Sequence, residues 1–200
     1  MDKRLILPKK GFLLNTDKDN PRLYFLAGPV MGGGDWRRTA IHRLMELDKD
    51  CYIVCPCRYP ADDPISWLAI KTDVGLPTSQ IEFESQIKWE RHYLELASIY
   101  GAIIFWLPVE DKDNPRPKAD GPYARDTYGE LGRWSVRSSK ELATVIVGAD
   151  PKFSGLSVIQ KNFDEDHGEP FKIHNTLDET LFSAVRKGRI YRHGDHDLYA

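Results

Sequence analysis

The sequence predicts an α/β protein with one doubly wound parallel sheet of about five strands. Apolar segments of strand length alternate along the chain with longer segments in which apolar residues recur at helical spacing. The longest apolar run, residues 102–107, is continuous, as in a central parallel strand covered on both faces. A chain of 200 residues without internal repeats suffices for one domain, which we place at residues 1–200 with irregular ends at 1–21 and 188–200.

The first predicted strand occupies residues 22–27 (RLYFLA) and leads directly into Gly28 and Pro29. A run of three glycines follows. Asp35 then stands at the position of a helix N-cap, ahead of a helix that carries Trp36 on its apolar side. The chain therefore passes from a strand through a glycine-rich turn into a helix.

The middle of the chain is predicted to contain a strand, a long loop and a long helix. The strand covers residues 51–55, and the loop covers residues 56–79, where prolines and aspartates occur without a clear period. Thr78 or Ser79 can cap the amphipathic helix, which ends near Gly101.

The last third of the chain continues the alternation. A charged, proline-bearing loop at residues 108–126 follows the central strand and precedes a helix at 127–142. The remaining predicted elements are a strand at 143–147, a short helix at 156–162, a strand at 171–174 and a helix at 177–186. In such a fold a ligand binds at the carboxyl ends of the strands.

Charge and apolar content exclude several classes of partner. Lys and Arg number 28 against 30 Asp and Glu, so the chain has no basic excess for a nucleic-acid polymer or an anionic membrane. The apolar runs are too short for a transmembrane segment, and the N-terminus lacks the apolar core of a secretory signal. We therefore expect a cytoplasmic protein.

The cysteines and histidines do not form a recognisable metal site. Cys51, Cys55 and Cys57 are crowded into one predicted element, with a spacing that matches no common zinc pattern, so we expect free thiols. The tail at residues 193–197 (HGDHD) resembles a metal-binding tract in composition only, and such tails are usually solvated. No metal and no cofactor are predicted.

The glycine run GPVMGGGDW is the first candidate for ligand contact. Glycines after a first strand allow backbone amides to approach a ligand. The spacing is neither that of a dinucleotide fingerprint nor that of a P-loop. Either a flexible turn or a ligand-contacting loop explains the run. The candidate contact residues are Gly28, Pro29, Asp35 and Trp36.

A pair of carboxylates is the second candidate. Glu130 lies near the start of the helix after the central strand, where the helix N-terminus favours the ionised form of a nucleophile. Glu90 lies on the preceding helix, where its neighbour Trp89 could exclude water and raise the Glu90 pKa for proton donation. Two such carboxylates equip a retaining glycosyl transfer. Solvated helix faces would explain both residues equally well.

Four motifs occur in this order: Phe25-Leu26-Ala27-Gly28-Pro29, Gln86-Ile87-Lys88-Trp89-Glu90, Ile103-Ile104-Phe105-Trp106-Leu107-Pro108 and Gly129-Glu130-Leu131-Gly132-Arg133-Trp134. Together they resemble the nucleoside 2-deoxyribosyltransferase-like superfamily over about residues 23–147. That superfamily includes the transferases themselves and the nucleoside 5′-monophosphate N-glycosidases. The resemblance implies a flavodoxin-like strand order, no cofactor, and assembly as a homo-oligomer.

The resemblance also implies roles for named residues. Glu130 corresponds to the nucleophile that attacks C1′ of the sugar, and Glu90 to the carboxylate that handles the proton of the departing base. Counting back from the central strand instead places Tyr93 at the second position. Arg125 and Asp126 lie where family members contact the sugar 5′ position. Arg125 could bind a phosphate or neutralise Asp126, and we expect a free nucleoside.

Three functions follow from these observations. The first is a nucleoside 2-deoxyribosyltransferase, which moves a 2-deoxyribosyl group between nucleobases by double displacement through Glu130. The second is hydrolysis of a (deoxy)nucleoside 5′-monophosphate by an N-glycosidase. The third, of another class, is a nucleotide-binding module without turnover. The expected partners are nucleosides or nucleotides and free nucleobases, with no nucleic-acid polymer and no membrane.

Overall fold

A parallel sheet of six strands forms the centre of the computed structural model, which describes residues 4–8, 10–12, 22–70, 80–82 and 84–190. Its strands in chain order are β1 (Leu5–Ile6), β3 (Leu23–Ala27), β4 (Tyr52–Val54), β6 (Gly101–Leu107), β7 (Val145–Ala149) and β8 (Ile173–His174). The spatial order is β1-β4-β3-β6-β7-β8. A separate antiparallel pair joins β2 (Lys10–Phe12) to β5 (Gln80–Glu82).

In the described ranges, five α-helices cover the sheet: α1 (Trp36–Leu47), α2 (Gln86–Tyr100), α3 (Arg125–Ser139), α4 (Leu156–His167) and α5 (Leu177–Ile190). Buried side chains of α2, α3 and α4 pack on one face of the sheet. Those of α1 and α5 pack on the other face. Helices on both faces of a parallel sheet confirm the predicted doubly wound α/β class.

The central strand β6 explains why both faces are covered. All seven of its residues are buried. Ile103, Phe105 and Leu107 belong to the core beneath α2, α3 and α4, whereas Ile104 and Trp106 belong to the core beneath α1 and α5. Because side chains of a strand alternate between faces, a continuous apolar run is what such a position requires.

The order of the strands places a crevice between β3 and β6. The chain passes from β3 to β4 on one side, and then returns to β6 and continues to β7 on the other side. With β3 taken as the first strand, this is the flavodoxin-like order that the resemblance implies, extended by β1 at one edge. Ligands of open α/β sheets bind at the carboxyl ends of the strands where the order reverses.

The N-terminal half differs from the prediction in two respects. The segment expected to be irregular contains β1 and β2, because Leu5 and Ile6 pair with β4 and complete the sheet edge. The helix predicted from residue 79 begins at Gln86 with Ser85 as its cap, since residues 80–82 pair as β5 instead. Thr78 and Ser79 lie outside the described residues.

Other boundaries also shift. Asp35 precedes α1 but makes no capping hydrogen bond with its side chain. The predicted loop at 56–79 contains a short 3-10 helix, Pro64–Leu68, which is capped by Asp63. The helix predicted to start at residue 156 extends to His167, and the last helix extends to Ile190. The histidine-containing tail at 193–197 lies outside the described residues. In the described part of the chain, none of the helices has the length and apolar character needed to cross a membrane.

Candidate active site

The turn after β3 packs closely against the end of β6. Gly28 has a φ of +134°, and a Cβ built on it would lie 2.3 Å from the carbonyl oxygen of Trp106. Only glycine tolerates both this backbone conformation and this approach. Gly28 therefore joins the two strands at the crevice where the strand order reverses.

The glycine run is enclosed by the loop after β6. A Cβ on Gly32 would lie 2.7 Å from the backbone nitrogen of Arg116. The Gly32 carbonyl also accepts a hydrogen bond from the backbone of Asp111 at 2.7 Å. The close contact between the two loops explains why residue 32 is a glycine. The glycine run therefore forms an ordered wall beside the crevice.

Arg37 lies beneath this wall and is only 2% exposed. Its guanidinium donates to the carbonyl oxygens of Gly28 at 2.7 Å and Pro29 at 2.8 Å. It also stacks over the ring of Trp36, with Cζ 4.3 Å from the ring centroid. Sequence inspection did not single out Arg37, because an arginine beside a tryptophan at a helix start carries no recognisable local signal.

The other candidates in this loop have different surroundings. Trp36 is buried, and its indole N–H finds no hydrogen-bond partner among the described residues. Its ring lies beside Gly28, close to the crevice. Asp35 is exposed and accepts a hydrogen bond from Arg38 Nε at 2.7 Å. Of this loop's candidates, Gly28, Pro29 and Trp36 are thus held at the crevice, and Asp35 lies on the surface.

Glu130 lies just over one turn into α3 and is half-buried. Burial raises the pKa of its carboxyl to about 7, and the nearby charge of Glu90 acts in the same direction. The positive charge of Arg37 opposes this rise. The sequence led us to expect an ionised Glu130 favoured by the helix N-terminus, and burial outweighs that effect.

The charge of Glu90 on α2 acts on Glu130, so the two carboxylates that the sequence singled out lie near enough to interact. Its Oε1 accepts a hydrogen bond from Gln86 Nε2 at 2.8 Å, one turn earlier on the same helix. Gln86 also binds the Pro56 carbonyl and Arg58, which connects α2 to the segment after β4. No role was predicted for Gln86, although its spacing of four from Glu90 is the signal for such a contact.

The aromatic residues around Glu90 belong to the core. Trp89 is fully buried and packs against Phe25 and Tyr93, with ring centroids 6.4 Å and 5.1 Å away. Trp89 thus faces the sheet. Tyr93, the alternative to Glu90, is also fully buried. Of the two residues, it is Glu90 whose charge acts on Glu130.

Asp126 and Arg125 form part of a small charged cluster at the start of α3. The Asp126 carboxylate accepts hydrogen bonds from Arg116 Nη2 at 3.1 Å and from Arg125 Nε at 3.2 Å. Arg116 has a side chain only 7% exposed, whereas Arg125 and Asp126 are exposed. The two guanidinium groups hold the pKa of Asp126 below its usual value. Arg125 therefore does neutralise Asp126, together with Arg116, which the sequence analysis overlooked.

A cavity of about 390 Å³ opens beside the start of α3. It is lined by Val109, Glu110, Pro122, Tyr123, Tyr128, Lys152 and Ser154. Both tyrosine hydroxyls donate to backbone carbonyls, Tyr123 to Pro108 and Tyr128 to Ser154. The cavity is adjacent to the crevice at the carboxyl ends of β6 and β7, and Glu130 does not line it.

The three cysteines are free thiols, as expected, with Cys51 and Cys55 buried and Cys57 half-buried. The Cys55 thiol and the Arg37 guanidinium lower the pKa of Cys57 to about 6. Burial raises the pKa of Cys51 to about 12. Within the described ranges, no group of three or more His, Cys, Asp or Glu side chains could hold a metal ion.

The site thus unites two carboxylates from different helices, an amide that orients one of them, and a buried guanidinium. Two neighbouring carboxyl groups, one of which has a raised pKa, can divide the roles of nucleophile and proton carrier between them. The chain matches no protein-family model and no curated protein.

Proposed function

We propose that this protein is a nucleoside 2-deoxyribosyltransferase that works by double displacement through Glu130. The observation that carries the proposal is the meeting of Glu130 and Glu90 at the edge of the sheet where ligands of this fold bind. The motifs that contain them resemble those of the transferase superfamily. In this proposal the protein acts in the cytoplasm as a homo-oligomer.

In the first step the two carboxyl groups hold one proton between them, on Glu90, and the ionised carboxylate of Glu130 attacks C1′ of the nucleoside. The bond from C1′ to the base nitrogen breaks, and its electron pair leaves with the base, which takes a proton from Glu90 directly or through water. In the second step another base attacks C1′ and displaces Glu130, while Glu90 accepts the proton. Burial of Glu130 limits the access of water, which favours transfer over hydrolysis.

A second candidate is the 5′-monophosphate N-glycosidase, and one observation favours it. Asp126 is already paired with Arg116 and Arg125, so two guanidinium groups neutralise the charge of the carboxylate that would bind a sugar 5′ hydroxyl. The three side chains together carry one excess positive charge. A 5′-phosphate would be attracted to that charge. In this case water, not a second base, takes the sugar from Glu130.

The decisive experiment supplies purified protein with a 2′-deoxynucleoside, with and without a second free base, and with the corresponding 5′-monophosphate. Chromatography then identifies the products. The transferase proposal expects a new deoxynucleoside only when the acceptor base is present. Release of the base from the monophosphate alone would establish the glycosidase instead.

Two variants make this experiment specific to the proposed site. Glu130→Gln removes the nucleophile at nearly constant shape and is expected to abolish turnover. Glu165→Gln changes an exposed glutamate of α4 and is expected to leave turnover unchanged. Binding of nucleosides without turnover of any substrate by the unaltered protein would contradict both enzymatic functions and leave a binding module.

A further inference from the structure

The side-chain amide of Gln86 makes three hydrogen bonds that join the segment after β4 to the first turn of α2. Arg58 Nη2 donates to Gln86 Oε1 at 2.9 Å. Gln86 Nε2 donates to the carbonyl oxygen of Pro56 at 3.3 Å and to Glu90 Oε1 at 2.8 Å. The amide thus connects an exposed arginine to one of the two carboxyl groups of the candidate site.

The partners of Gln86 allow one orientation of its amide. A guanidinium only donates hydrogen bonds, and a backbone carbonyl only accepts them. Because Arg58 lies at Oε1 and Pro56 at Nε2, a reversed amide would place two donors together at Arg58 and two acceptors together at Pro56. Gln86 therefore presents an N–H group to Glu90 whether that carboxyl is ionised or protonated.

The fixed amide gives the two oxygens of Glu90 different surroundings. Oε1 accepts the N–H of Gln86, and in the described part of the chain Oε2 makes no hydrogen bond. In a protonated carboxyl the carbonyl oxygen is a better acceptor than the hydroxyl oxygen. The bond from Gln86 therefore favours Oε1 as the carbonyl oxygen and Oε2 as the oxygen that carries the proton.

We infer that Arg58 is a positioning residue of the proposed site, which holds the Gln86 amide so that Glu90 carries its transferable proton on Oε2. The inference deepens the proposed function, on which it rests. It assigns the proton that goes to the departing base to one atom, and it names the residue that fixes this choice. Arg58 acts through Gln86 and does not itself contact Glu90.

Arg58 is needed because the Pro56 carbonyl alone holds the amide less firmly. The bond to Pro56 is 3.3 Å long, at the weak end of the usual range. Without Arg58, the amide would be free to turn when Glu90 is protonated and to accept its proton through Gln86 Oε1. That proton would then be held by Gln86 and not by the departing base.

Turnover of two substrates tests this role. Arg58→Met removes the donor at similar length, so with an ordinary 2′-deoxynucleoside we expect kcat to fall about fivefold with a similar KM. With a 7-methylated purine deoxynucleoside, whose base leaves without protonation, the loss should disappear. Equal losses on the two substrates would overturn the inference.

A double variant separates the hydrogen bond of Arg58 from its charge. If Arg58 acts through Gln86, Arg58→Met should lower kcat no further in a protein that already carries Gln86→Met. A further fivefold loss there would overturn the inference, because Arg58 would then act without the amide. Lys88→Met is the matched control: it removes a positive charge from the same turn of α2, where Lys88 pairs with Glu84, and should leave kcat unchanged.

NMR of the side-chain amides tests the contacts independently of turnover. The Gln86 signal is assigned by its loss in Gln86→Met. Glu90→Gln should move this signal in the unaltered protein and clearly less in Arg58→Met, because the amide is then no longer held against residue 90. An equal movement in both proteins would overturn the inference. If no substrate is turned over, the proposed function fails, and this comparison still decides whether Arg58 orients the amide.

Discussion

The charge of Glu90 raises the pKa of Glu130, although the two residues lie on different helices and 40 positions apart in the chain. Like charges in a half-buried site disfavour each other, so one carboxyl tends to hold a proton that the other lacks. This is the condition under which two glutamates can take different roles in one reaction.

The first prediction concerns the pH dependence of turnover. Because the ionised form of Glu130 is the nucleophile, kcat/KM for a substrate whose base needs no proton from Glu90 should rise as the pH increases through about 7. Glu90→Gln removes a negative neighbour and should move this rise to lower pH. The measurement uses a 7-methylated purine deoxynucleoside, whose base leaves without protonation. A rise at the same pH in both proteins would show that Glu90 does not act on Glu130.

The activity of Glu90→Gln should also depend on the leaving group of the substrate. With an ordinary 2′-deoxynucleoside, Glu90→Gln is expected to lose about 10²-fold to 10⁴-fold in kcat, because the base then departs without a general acid. With the 7-methylated substrate the loss should be far smaller. Equal losses on the two substrates would contradict the role of Glu90 in proton transfer.

The second prediction links Glu130 to stability. Burial raises its pKa from the ordinary 4.5 to about 7, so the folded protein holds this proton more tightly than the unfolded chain does. The contribution of this proton to the free energy of unfolding is complete below pH 4.5 and is lost as the pH rises to about 7. Glu130→Gln should therefore be about 2 kcal/mol more stable than the unaltered protein at pH 8, with little difference at pH 4.5. Urea unfolding at both pH values measures this.

The third prediction concerns Gln86, which holds Glu90 by a hydrogen bond of 2.8 Å. Gln86→Met keeps the length of the side chain and removes the bond, so Glu90 loses its fixed orientation. We expect kcat to fall about tenfold with a similar KM. Ile87→Met is the control, because Ile87 is exposed on the same turn of α2. A loss of the same size in both variants would point to a general effect on the helix.

The fourth prediction concerns thiol reactivity. The Cys55 thiol and the Arg37 guanidinium lower the Cys57 pKa to about 6, so Cys57 is largely a thiolate at pH 7. Iodoacetamide should therefore label Cys57 well before Cys51, at a rate that rises up to about pH 6 and then levels off. Mass spectrometry of peptides identifies the labelled residue, and Cys57→Ser should abolish the fast phase. Preferential labelling of Cys51 would disagree with the structure.

The fifth prediction compares two glycines. Gly28→Ala places a Cβ 2.3 Å from the Trp106 carbonyl oxygen at a φ of +134°, and it should destabilise the protein by about 2 to 4 kcal/mol. Gly132→Ala meets nothing within 4 Å on an exposed turn of α3. It should stabilise the protein by about 0.5 to 1 kcal/mol. The midpoint temperatures of thermal unfolding should shift in opposite directions in the two variants.

The elements that local patterns could reveal were predicted correctly. The continuous apolar run of β6 indicated a strand buried on both faces, and the alternation of strands and helices indicated the doubly wound class. The short strands β2 and β5 escaped prediction, because three residues carry too little periodicity to identify a strand. Their pairing is a contact between distant segments. The start of α2 was placed too early for the same reason.

The sequence by itself determined the fold class, the position of the crevice and the two glutamates worth examining, since each depends on the order and periodicity of neighbouring residues. Tertiary structure alone decided the electrostatics of the site. The raised pKa of Glu130, the engagement of Asp126 by Arg116 and the contact of Gln86 with Arg58 all depend on distances through space. Burial and charge act over those distances, and the separation of residues along the chain does not reveal them.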